Sequence, residues 1–134
     1  MSQLIATLTN QHKDLLEGFS EIKKLGVCSK EGQRKLLSLK GALVTHLNKE
    51  DRELYPILKR AAESDSDLKR MLDSYLVEMN QITKDVIQFF EKYSHGGEGL
   101  EFAKDYGRLV GILTRRTRKE ELTIYKKFEA LKTK

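Results

Sequence analysis

Residues 67–93 read DLKRMLDSYLVEMNQITKDVIQFFEKY. Leu68, Leu72, Tyr75, Met79, Ile82, Val86, Phe89 and Tyr93 follow one another in steps of four and three. That spacing puts all eight on one stripe of an α-helix, the apolar seam of a helix packed tightly in a bundle. Asp65 or Ser66 stands where a helix N-cap is expected. One stripe of this length needs partners, and the flanking sequence supplies them.

On the N-terminal side, Leu36, Leu39, Leu43, His46, Glu50, Leu54 and Ile57 or Leu58 mark a helix from about Lys30 to Ala62, with Ser29 as candidate cap. Pro56 lies inside it and should remove a backbone hydrogen bond, kinking or loosening the helix. Before that, Leu4, Leu8, Leu15, Phe19 and Ile22 give a helix from about Ser2 to Leu25, ended by Gly26. On the C-terminal side, Phe102, Tyr106, Leu109 and Leu113, then Ile124, Phe128 and Leu131, give a fourth from about Leu100 to Leu131. The linkers, Gly26–Ser29, Glu63–Ser66 and Ser94–Gly99, are short, so consecutive helices should run antiparallel. The expected fold class is all-α, an antiparallel up-and-down four-helix bundle. The 134 residues suffice for one such domain, residues 1–134.

Composition narrows the function. The formal net charge is +5, but Lys and Arg are spread over every helix, often as pairs. The densest run, Arg115-Arg116-Thr117-Arg118-Lys119, radiates to several sides of a helix without an aromatic platform, which speaks against a nucleic-acid site. No run approaches the ~20 apolar residues of a membrane helix. Cys28 is the single cysteine, so no internal disulfide forms, and a reducing, cytoplasmic setting is the expectation. His95, in Ser94-His95-Gly96-Gly97, reads as a solvated loop histidine.

Three of the four stripes are interrupted by polar residues: His12 in the first, His46 and Glu50 in the second, Arg116 or Thr117 and Glu120 or Glu121 in the fourth. Leu43, His46, Lys49, Glu50, Leu54 and Tyr55 match Leu113, Arg116, Lys119, Glu120, Ile124 and Tyr125 in one register, a weak internal repeat. At ~1.5 Å rise per residue, His12 and His46 both lie about 21–24 Å from the first loop and so share a layer. His46 and Glu50, four apart, face the same way, and imidazole with carboxylate suits iron, zinc or manganese. His46 and Glu50 can therefore bind one metal ion together, with His12 in the same layer. No nucleophile–base pair and no Glu-x-x-His motif is present, so an enzyme is not expected.

The string His46-Leu47-Asn48-Lys49-Glu50-Asp51-Arg52-Glu53-Leu54-Tyr55-Pro56, with His12 upstream and Glu120-Glu121 and Tyr125 downstream, resembles the signature of hemerythrin-like (HHE cation-binding) domains. The resemblance covers nearly the whole chain. It implies a four-helix bundle around a non-haem di-iron centre that binds oxygen or senses oxygen, redox state or iron. The ligands it implies here are His12, His46, Glu50 and Glu120 or Glu121. Two departures matter. Arg116 stands where the resemblance implies a fourth-helix histidine, and the third helix offers Met79, Asn80, Gln81, Ile82 and Thr83 in place of histidines, with Glu78 the only strong ligand type nearby. The ligands of one iron remain; the histidines of a second are gone.

Arg116 sharpens the alternatives. A unit charge ~5 Å from a divalent ion costs on the order of 6–7 kcal/mol at an effective dielectric of ~20. Either the site holds one ion, with iron the expected metal, or it holds none and Arg116 replaces the metal's charge by pairing with Glu50, Glu78 or Glu120. The arginine could also reach outward and leave the centre to Thr117 and Glu121. Metal ion and oxygen are the expected partners.

Overall fold

The computed structural model describes residues 2–132 and contains six helical stretches and no strand among them. They are α1 (Gln3–Leu25), α2 (Lys30–Lys49), α3 (Tyr55–Ala62), α4 (Ser66–Lys92), α5 (Gly99–Leu122) and α6 (Ile124–Lys132). A π-helical turn, Glu50–Leu54, joins α2 to α3 without a loop. A single residue, Thr123, separates α5 from α6. The six stretches thus form four arms: α1, α2–α3, α4 and α5–α6. The first arm packs along the second and fourth, and the third packs along the same two, which closes a four-helix bundle.

Local chemistry sets the ends. Ser2, Ser29 and Asp65 each accept a backbone N–H from the first turn of the helix they precede, satisfying a donor the helix cannot. Gly26 ends α1 at φ 96°, a left-handed conformation that glycine adopts without steric cost.

The apolar stripes meet in two separate cores. One contains Ile5, Leu8, Leu54, Leu58, Leu72, Ile124 and Phe128; the other contains Leu15, Phe19, Ile22, Leu39, Val86, Phe102 and Leu113. Each such side chain contributes ~1.5–3 kcal/mol on burial. Between the two cores lies a layer of buried polar groups, His12, His46, Glu50, Arg116, Thr117 and Glu120. Burying that many polar groups is unfavourable unless each finds a partner.

Candidate metal centre

Each arm delivers its polar side chain for a local reason. His12 falls on the α1 stripe between Leu8 and Leu15, so the helical period turns it inward. His46 and Glu50 are one turn apart, but the helix widens at Glu50. Pro56 has no N–H to give the carbonyl four residues back, and its ring crowds that position. The chain accommodates this with a π turn, in which the Tyr55 N–H donates to the Glu50 carbonyl five residues earlier. The expected disturbance at Pro56 thus takes the form of an extra residue in the turn just before it, and this turn carries Glu50. π turns of this kind are frequent at functional sites. On the fourth arm, Thr123 plays the corresponding part. Its hydroxyl donates to the Lys119 carbonyl and competes with the backbone, and the helix breaks there, three residues after Glu120.

The result is a compact donor cluster. Ligand atoms of His12, His46, Glu50 and Glu120 all lie within 4.8 Å of one another, and all four residues are at most 3% exposed. His12 Nε2 is 2.9 Å from His46 Nε2 and 3.1 Å from Glu120 Oε1, and His46 Nε2 is 3.5 Å from Glu50 Oε1. The Tyr125 hydroxyl donates to Glu50 Oε2 at 2.8 Å and sits 3.0 Å from His12 Nε2. Its ring stacks on the His12 ring, 14° from parallel.

Second contacts orient the imidazoles. His46 Nδ1–H donates to Gln11 Oε1 at 2.7 Å, which leaves Nε2 with a lone pair aimed into the cluster. Behind His12, on its Nδ1 side, stands Glu121, with Oε2 3.9 Å away. Of the two adjacent carboxylates on the fourth arm, Glu120 enters the cluster, whereas Glu121 lies at its edge, partly exposed.

Burial dominates the electrostatics. It pushes the Glu50 carboxyl well above the usual carboxylate range, the neighbouring Glu120 pushes it further, and the Tyr125 hydrogen bond pulls the other way. Burial raises Glu120 too, against hydrogen bonds and the Arg116 charge. His46 is lowered to about 3 by burial and by His12, and His12 is lowered by burial against the pull of Glu50 and Glu121. Both imidazoles are therefore neutral, the state that ligates metal, and burial favours the protonated form of the carboxyl pair.

Arg116 faces inward, at 6% exposure, and does not reach outward to solvent. It meets none of the clustered carboxylates directly. Its guanidinium lies 3.9 Å over the Tyr75 ring, donates from Nη1 to Glu78 Oε2 at 2.7 Å and from Nη2 to the Tyr75 carbonyl at 3.2 Å, and sets Nε 3.3 Å from Met79 Sδ. Of the three carboxylates considered from sequence, Glu78 is the hydrogen-bonded partner. Thr117, behind it, donates to the Thr114 carbonyl.

Glu50 Oε1, Glu120 Oε2 and His12 Nδ1 are buried without a hydrogen-bond partner of ordinary geometry. Buried oxygens left open in this way, beside two neutral imidazoles, are what a cation-binding shell provides, so the residues present fit a metal ion. An apolar cavity of about 20 Å³ adjoins the cluster, with His46, Glu50, Arg116 and Glu120 on one side and Leu15, Leu43, Leu47, Ile82, Val86 and Leu113 among those on the other.

Sequence reasoning did not single out Gln11 or assign Tyr125 a place among the donors. Gln11 carries no signal beyond preceding His12. Tyr125 does: it is the partner of Tyr55 in the internal repeat.

The family model described as the hemerythrin HHE cation binding domain matches residues 3–128. The chain belongs to this family. No curated protein and no solved structure matches the chain.

Proposed function

We propose that this hemerythrin HHE domain binds one metal ion, iron, in the layer between its two cores, and uses it to bind or sense oxygen, redox state or iron rather than to turn over a substrate. The observation that carries the reading is the convergence of His12, His46, Glu50 and Glu120 from three arms of the bundle onto one dry point.

The chain's own residues prepare that point. Gln11 fixes the His46 tautomer. With its proton on Nδ1, His12 would offer Nε2 to an ion while Glu121, behind Nδ1, held the ring in place, so Glu121 acts as an orienting carboxylate. The surrounding apolar side chains exclude water and strengthen every charge interaction inside. An iron ion supplies redox chemistry and an exchangeable coordination position. The adjoining cavity is above the ~10–15 Å³ that one water-sized molecule needs, and its walls are mostly apolar, which suits a small uncharged ligand.

Charge limits the occupancy. Glu50 and Glu120 together neutralise one divalent ion. A second would stand unbalanced near Arg116, whose guanidinium is charged at any ordinary pH.

Elemental analysis of protein purified after growth in iron-supplemented medium tests the proposal. One iron per chain, lost in His46→Ala, is the expected result. A second reading, a metal-free regulatory or protein-interaction bundle, is favoured by one observation: Tyr125, His12, Glu50 and Glu120 are already joined directly to one another, Tyr125 to Glu50 and His12 and His12 to Glu120. It predicts no bound metal and a melting temperature indifferent to iron or chelator. The described helices include none long and apolar enough to cross a membrane.

A further inference from the structure

We propose that Tyr125 is itself a metal ligand, and that its phenolate oxygen joins His12, His46, Glu50 and Glu120 around a single trivalent ion. This rests on the one-ion reading above and specifies which ion the site takes.

The first argument is spacing. Two ligands ~2.1 Å from one ion and at right angles to each other are ~3.0 Å apart. His12 Nε2 lies 2.9 Å from His46 Nε2, 3.1 Å from Glu120 Oε1 and 3.0 Å from the Tyr125 oxygen, and that oxygen is 2.8 Å from Glu50 Oε2. These separations suit donors that share one ion, and His46 Nε2 lies somewhat farther, 3.5 Å, from Glu50 Oε1. The Tyr125 oxygen stands as near to His12 Nε2 as Glu120 Oε1 does.

The second argument is how Tyr125 gets there. In an unbroken helix a residue five positions after Glu120 would point ~140° away from it. The break at Thr123 alters that register and returns Tyr125 to the layer of Glu120. Tyr55 and Tyr75 are also buried nearby, and Tyr75 bears on Glu120, but only the Tyr125 hydroxyl lies at hydrogen-bond distance from both Glu50 and His12 among the described residues. Tyr93 and Tyr106 bond to Asp105 and to the Phe19 carbonyl.

The third argument is charge. Glu50, Glu120 and a Tyr125 phenolate sum to three negative charges, which a trivalent ion balances and a divalent ion does not. Arg116 is matched separately by Glu78. Three anionic oxygens with two imidazoles form a hard donor set, which favours Fe(III) over Fe(II). On binding, the Tyr125 O–H bond breaks, an oxygen–metal bond forms and the proton leaves to solvent. Iron enters already as Fe(III), so no electron is transferred.

The test loads the full chain with Fe(III) citrate, removes loose iron with a chelator, measures retained iron, and records the visible and resonance Raman spectra. The expected result is one retained iron per chain and a phenolate-to-iron(III) charge-transfer band. Its ring vibrations should shift in protein grown on ring-deuterated tyrosine. The band should vanish in Tyr125→Phe and persist in Tyr55→Phe and Tyr75→Phe. If Tyr125→Phe does not fold, persistence in the other two variants together with the isotope shift assigns the band. Iron retained without the band, or a band that survives Tyr125→Phe, overturns the ligand assignment alone. A chain that retains no iron overturns the one-ion reading with it.

Discussion

Truncating Arg116 to alanine removes a side chain that is 6% exposed and touches three groups of α4. The stacking of its guanidinium 3.9 Å above Tyr75 is worth ~0.5–2 kcal/mol. Its ion pair with Glu78 is worth less than a fully buried one, because Glu78 is 47% exposed and water screens it; ~0.2–1 kcal/mol is appropriate. Two lost methylenes of the buried stem add ~1.6 kcal/mol. Together these give a destabilisation of ~2–5 kcal/mol, overlapping the ~3–5 kcal/mol of a pair broken in a dry interior. For a domain of this size that lowers the melting temperature by about 6–20 °C. Glu78→Gln, which removes only the screened pair, should cost under ~1 kcal/mol. The assay is thermal melting of metal-free and Fe(II)-loaded protein under anaerobic conditions. Iron should raise the melting temperature of Arg116→Ala more than that of the wild type, because the ion supplies Glu120 with positive charge that the arginine no longer does. A variant that melts with the wild type in both states would refute this account of the arginine as a buried structural cation.

Two further outcomes follow from the site and from the first turn. Metal-free protein should be most stable at mildly acid pH. Glu50 and Glu120, raised in the fold, hold stability that is complete below about 4.5 and is lost as pH climbs through their folded values; His46 and His12, lowered in the fold, hold stability that is complete above about 6.5 and is lost as pH falls. Melting temperatures should therefore decline from about pH 6 toward pH 8 without metal, while the increase produced by Fe(II) grows over the same interval, since the ion competes with protons. Glu50→Gln should flatten the metal-free decline; a metal-free melting temperature that rises toward pH 8 would contradict the protonated pair. Gly32→Ala tests the turn between α1 and α2. A Cβ there would sit 2.1 Å from the Gly26 carbonyl oxygen, so the backbone must shift and the Ser29 cap with it, at a cost of ~1–3 kcal/mol by denaturant unfolding, whether or not metal is present.

The four arms and their pairing were legible because the apolar stripes keep the helical period and the loops are too short for any but antiparallel neighbours. The shared layer of His12 and His46 followed from counting residues to one well-marked loop. The stripe of the fourth arm left Glu120 and Glu121 both open, because the two are adjacent where it nears the break at Thr123, whose bend no periodicity announces. Pro56 signalled a disturbance in the second arm, but not that the disturbance would take the form of a π turn beginning at Glu50. The inward pose of Arg116 was open for a different reason. A long amphipathic side chain can satisfy its charge in either direction, and the choice depends on where Tyr75 and Glu78 stand on another helix. Tyr125 was visible in the repeat as a match to Tyr55, yet only the folded backbone distinguishes the two.

The complete burial of the His12–Glu120 cluster has a kinetic corollary. With both faces covered by packed apolar side chains, an ion in that layer exchanges with solvent only when the arms separate locally. Its residence time is then set by the frequency of such openings rather than by ligand strength alone.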